Sequence, residues 1–98
     1  MAAIEVRQTE VFRAWLRGLR DDRAAARIVA RIRRLELGNI GDFKSLGAGL
    51  MELRLDYGPG YRVYCTRRGP IIVVLLCGGD KRTQQSDIER ARVLAAGV

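Results

Sequence analysis

The chain has 98 residues and a mass of 11.0 kDa, a size that suits one domain and leaves little room for a second independent core. With 48% hydrophobic and 30% charged residues it is neither a disordered nor a membrane-embedded composition, and the longest apolar run, Ile71 to Cys77, is too short to cross a bilayer. Eighteen Lys and Arg against 11 Asp and Glu give a net charge of +7, 16 of those cations are Arg, and there is no His. The balance points to a polyanionic partner, and the lack of His removes the commonest general base and metal ligand.

Along the chain, MAAIEVRQ has no basic segment leading into an apolar one, so no signal peptide is expected. Ile4 to Arg7 alternates apolar and polar residues as a half-buried strand does, and Thr9 after it is a good helix N-cap. Phe12, Trp15, Leu16 and Leu19 then share one helical face. Asp21 or Asp22 starts a second helix that runs to Leu37 and ends on Gly38-Asn39, with Ile28, Ile32 and Leu35 as its buried stripe. Arg20, Arg23, Arg27, Arg31 and Arg34 line up beside that stripe. They form either a solvated face or a ridge that contacts the phosphates of RNA.

Asn39 to Gly49 is glycine-dense and reads as a loop, with strands resuming at Met51. If Gly58-Pro59-Gly60 is a three-residue hairpin loop, Asp56 faces Arg62, Arg54 faces Tyr64 and Glu52 faces Thr66. One face then collects Leu53, Leu55, Tyr57, Tyr61, Val63 and Cys65, and the other collects Glu52, Arg54, Asp56, Arg62, Tyr64 and Thr66. The next strand, Ile71 to Cys77, is apolar on both faces and is expected to be central. A hairpin turning at Arg68-Gly69 would put Cys65 opposite Ile72 and Cys77 opposite Gly60. The thiols would then be roughly 16 Å apart, too far for a disulfide, which suits a reduced, cytoplasmic setting. A last helix is capped at Thr83 or by Ser86 to Glu89, and Ile88, Ala91, Leu94 and Ala95 form its modest apolar stripe. The expected fold is one α+β domain over residues 1–98 in the order β-α-α-β-β-β-α, with a mainly antiparallel sheet.

The motifs of phosphate-binding loops, nucleophile elbows and zinc sites are missing, and no metal or cofactor is expected. The polar sheet face is the feature with chemical potential. RNA cleavage without a metal needs a base for the 2′-hydroxyl proton, cations for the phosphorane and an acid for the 5′-oxygen. A Lys or a carboxylate would serve as base, Arg54 and Arg62 as the clamp, and Tyr64 as a stacking platform or proton donor. The plainer reading of Asp56 with Arg62 is a cross-strand ion pair.

Gly41-Asp42-Phe43-Lys44, the run from Glu52 to Tyr64 with its Asp-Tyr-Gly-Pro-Gly-Tyr-Arg-Val-Tyr core, and Leu76-Cys77-Gly78-Gly79-Asp80-Lys81 together resemble the addiction-module killer proteins of the RelE/ParE toxin superfamily, near its HigB branch. The resemblance implies a bacterial type II toxin neutralised by a helix-turn-helix, HigA-like antitoxin, which meets operator DNA only through that complex. It further implies an mRNA interferase acting on mRNA in the ribosome, with a gyrase inhibitor or a degenerate operon co-repressor as alternatives. In the RelE type, Arg62 and either Lys81 or Arg82 would act on the phosphate. Glu52 stands where a lysine base would align, which leaves Lys44 and Lys81 as candidate bases.

Overall fold

The computed structural model describes residues 3–98; the expectation about a leader rests partly on residues 1 and 2, which lie outside that range. The order is β1 (Glu5–Gln8), α1 (Glu10–Arg17), α2 (Asp22–Glu36), β2 (Phe43–Gly47), β3 (Leu50–Arg54), β4 (Arg62–Arg68), β5 (Ile72–Gly79), a 3-10 turn (Lys81–Thr83) and α3 (Gln84–Ala96). One five-stranded sheet runs β1-β5-β4-β3-β2, with β1 parallel to β5 and every other pair antiparallel. The α+β class and the mainly antiparallel sheet are those expected from the sequence.

Local chemistry sets the helix limits. The Thr9 hydroxyl accepts from the Phe12 amide at 3.0 Å, and the Asp21 carboxylate accepts from the amides of Arg23 and Ala24 at 3.0 and 3.1 Å. At the end of α2, Gly38 takes a φ of 90°. Its amide then reaches the Leu35 carbonyl at 2.9 Å while the Asn39 amide reaches that of Arg34 at 2.9 Å, a Schellman closure. Helices α1 and α2 cover one sheet face, where Phe12, Ile28, Leu35, Leu53, Val63 and Leu75 are buried. Helix α3 covers the other, over Tyr64, Leu76 and Cys77.

Three expectations are corrected. Residues 43–47 form a strand and not a loop: β2 pairs with β3 through Phe43 with Leu53, Lys44 with Glu52 and Ser45 with Met51. As an edge strand with most side chains exposed, it has no apolar alternation to read. The β3–β4 loop holds five residues and not three, because Leu55 and Tyr61 close it through an amide-to-carbonyl bond of 3.0 Å. Arg54 therefore faces Arg62 and Glu52 faces Tyr64, and Asp56 pairs with neither. This shift is two residues, an even number, so the division of side chains between faces is kept. Finally, Cys65 faces Leu75 and Cys77 faces Tyr64, with a bulge between them. The two cysteines are closer in register than expected but lie on opposite faces, and both are free and buried.

The β2–β3 turn carries one strained position. Ala48 has a φ of 53°, followed by Gly49 at 82°, so a side chain sits in the left-handed region at a cost of about 1–2 kcal/mol. Ala48→Gly removes that strain and adds less than it in unfolded-chain entropy. A thermal melt should show Tm raised by roughly 2–6 °C; a lowered Tm would show that the turn carries no such strain.

Candidate functional site

The even-numbered residues of β3 and β4 point to the α3 face, and the observed register sets two arginines side by side there. Like charges directly opposite repel, and a carboxylate sits with them. Glu52, with no solvent exposure, accepts from Arg54 Nε at 3.0 Å, from the Tyr64 hydroxyl at 3.1 Å and from Gln84 Nε2 at 2.8 Å. Arg62 Nε lies 3.9 Å from the same Glu52 Oε1. Burial alone would raise the Glu52 carboxyl, but the hydrogen bonds from Gln84, Arg54 and Tyr64 hold it below the usual carboxylate range.

Arg62 is 8% exposed and is oriented by its own hairpin: Nη1 donates to the carbonyls of Gly60 and Tyr61 at 3.0 and 3.1 Å. Its Nε is buried without a hydrogen-bond acceptor, an unspent donor on a fixed cation. Lys81 arrives from the segment after β5, and its methylenes lie against Gly60, where a Cβ would come within 3.3 Å of Lys81 Cγ and Cδ. A depression of about 240 Å³ results, lined by Arg54, Arg62, Lys81, Asp42, Asp56 and Gly60. Three cations from three separate segments converge on it, a constellation able to hold a phosphate and to stabilise charge building on it.

The other expected site residues lie elsewhere. Arg82 is bound to Asp80, Nη2 to Oδ2 at 3.1 Å, with its side chain 82% exposed, and does not line the depression. Lys44 is exposed on the edge strand, opposite Glu52 and outside the depression. Tyr64 has no exposed surface, so it offers no face for stacking, and burial pushes its hydroxyl well above the usual phenol range. In the arginine row, Arg20, Arg23, Arg27 and Arg34 are exposed, but Arg31 is buried. It donates to the carbonyls of Ile40 at 3.1 Å, Arg54 at 2.7 Å and Asp42, and so ties α2 to the sheet instead of facing a ligand.

Gln84, which hydrogen-bonds Glu52 from the first turn of α3, has no local signature in the sequence. Arg31 has one: it lies three residues after Ile28 and four before Leu35, inside the buried stripe. Burial pushes the Cys65 thiol up to about 12 and the Cys77 thiol up to about 11, which leaves both unsuited to nucleophilic work at neutral pH. Among the described residues no group of three Cys, Asp or Glu side chains comes together to hold a metal ion.

The model of the family described as phage derived protein Gp49-like (DUF891) matches residues 14–95. An uncharacterized protein of Haemophilus influenzae is 51% identical over 92 residues, covering 94% of this chain and 93% of that protein. In three dimensions the chain is similar to one from the toxin-antitoxin complex RelBE2 of Mycobacterium tuberculosis, with a TM-score of 0.66 and 25% identity over 82% of this chain and 100% of that one.

Proposed function

This chain belongs to the phage derived Gp49-like (DUF891) family, and we propose that it is the toxin of a toxin-antitoxin system, acting as a metal-independent endoribonuclease on ribosome-bound mRNA. The observation that carries this reading is the convergence of Arg54, Arg62 and Lys81 on one depression over the buried Glu52. Its fold likeness to a chain of the RelBE2 toxin-antitoxin complex supports the setting and an antitoxin partner. By its sequence blocks that partner is a helix-turn-helix, HigA-like protein and this chain a HigB-like toxin.

In the reaction the RNA 2′-oxygen attacks the adjacent phosphorus and the bond to the 5′-oxygen breaks, leaving a 2′,3′-cyclic phosphate and a free 5′-hydroxyl. The charge on the phosphorane falls to Arg54 and Arg62. Within the depression a carboxylate, Asp42 or Asp56, accepts the 2′-hydroxyl proton, and the Lys81 ammonium protonates the leaving oxygen. Lys44, outside the depression, has no place in this scheme.

Induced expression followed by mapping of transcript 5′ ends tests it. New ends inside open reading frames, at fixed codon positions and carrying 5′-hydroxyls, are expected within minutes. Growth arrest with a DNA-damage response and no new ends would instead assign gyrase as the target, and no arrest at any expression level would leave a co-repressor.

A further inference from the structure

A second depression, of about 440 Å³, opens between α2 and the β3–β4 loop, with Arg27, Arg34, Arg54, Asp56 and Tyr57 in its lining. It adjoins the first, since Asp42, Arg54, Leu55 and Asp56 line both. The two differ in construction. The first sets Arg54, Arg62 and Lys81 beside Asp42 and Asp56 with no aromatic ring in its lining, whereas the second has a flat, layered wall in which the Arg27 guanidinium lies 4.5 Å from the centre of the Tyr57 ring. Arg31, fixed by its carbonyl partners, also lines this depression. Arg34 is exposed and seven residues beyond Arg27 on the same helix, hence on the same side and about 10 Å further along.

A ligand that fills both depressions must present a phosphate to the first and a second anion with a planar group to the next. Single-stranded RNA has that repeat, and its bases stack on aromatic rings and guanidinium planes. An acidic peptide would match the cations but leave the Arg27–Tyr57 wall unused. We propose that the second depression binds the next nucleotide beyond the two that flank the scissile phosphate, its phosphate between Arg34 and Arg54 and its base on the Arg27–Tyr57 pair. This subsite rests on the reading of the first depression as the cleavage site, and Arg54 is the residue that belongs to both.

The test is an NMR titration of the isotope-labelled full chain with two uncleavable probes, a uridine dinucleotide and a uridine tetranucleotide with 2′-deoxy sugars at the possible cleavage positions. The tetranucleotide is expected to bind roughly 5- to 100-fold more tightly, the range that one or two stacked bases span. Arg27→Ala and Tyr57→Leu should each remove most of that gain while leaving dinucleotide affinity within about twofold. Tyr57→Phe, which keeps the ring, should retain it. A gain that persists in both loss variants overturns the subsite, as does dinucleotide binding with no gain in the unmodified chain. A hexaglutamate peptide that shifts the Arg27 and Tyr57 signals at lower concentration than the RNA also overturns it, in favour of an acidic protein segment. If the unmodified chain binds neither probe, the cleavage reading falls with it.

Discussion

Arg62→Ala is expected to lower mRNA cleavage on programmed ribosomes by about 10²–10³-fold, the usual loss when one preorganised donor to developing charge is removed. Arg82→Ala, one residue after Lys81, should stay within about threefold. The contrast follows from what holds each guanidinium. Arg62 is 8% exposed, held by the carbonyls of Gly60 and Tyr61 and backed by Glu52, so its position is set before any RNA arrives. Arg82 is satisfied by Asp80 and stands in solvent, where a charge adds to docking more than to chemistry. Arg62→Lys separates position from charge. An ammonium on a flexible stem cannot reproduce a guanidinium held at two carbonyls, so the Lys variant should recover only a small part of the activity. Single-turnover cleavage by variants of unchanged far-UV circular dichroism provides the measurement. Equal losses in Arg62→Ala and Arg82→Ala would make total positive charge the cause and remove Arg62 from the clamp.

What the sequence disclosed about this fold depended on how local the cause was. Thr9 and Asp21 cap helices through bonds to residues two or three positions away, and Gly38 ends one through its own backbone, so all three were legible. The face assignment of β3 and β4 was also legible, because alternation survives any even change of register. The register itself depended on whether the chain turns through three residues after Tyr57 or through five after Leu55, and Gly58-Pro59-Gly60 fits inside both loops. Strand β2 left no pattern because an edge strand with little burial has no reason to alternate. The parallel pairing of Glu5 with Ile72 is set by packing across the whole chain.

The site divides in the same way. Arg54 and Arg62 were readable as a pair on one face, and Lys81 as a basic residue following the Gly78-Gly79 strand end. That Lys81 and not Arg82 meets them depends on Asp80, which caps the 3-10 turn by accepting from the Arg82 amide at 2.8 Å and draws the Arg82 side chain to itself. The character of Glu52 was the least legible. Alternation places it on the polar face and suggests an exposed charge, but α3 closes over it and its partner Gln84 is 32 residues away. The same closure turns Tyr64 from a platform into a hydrogen-bond donor to Glu52.

Glu52→Ala is therefore expected to cost about 3–5 kcal/mol, because it leaves the Arg54 guanidinium, a buried hydroxyl and a side-chain amide without their shared acceptor and the buried Arg62 without its counter-charge. In a domain of this size that lowers Tm by roughly 12–25 °C, enough to unfold much of the protein at 37 °C if its reserve is ordinary. Glu52→Gln keeps the volume and one acceptor oxygen, so it should fold, and it isolates the charge. The folded carboxyl is held below the ordinary glutamate value of about 4.3. The stability it supplies is fully present above that value and is lost as the pH falls through the depressed one. Urea unfolding across this acid window should show a decline in the unmodified chain that is shallower in Glu52→Gln. At neutral pH the Gln variant leaves Arg54 and Arg62 facing each other without their common anion, so their positions spread, and RNA cleavage should fall by at least tenfold at saturating ribosomes while dinucleotide affinity changes less. A Glu52→Gln protein that matches the unmodified chain in both acid stability and cleavage rate would mean that Arg62 holds its place through the Gly60 and Tyr61 carbonyls alone and that Arg54 needs no charged partner, and the carboxylate would then be only the fastening of α3 to the sheet.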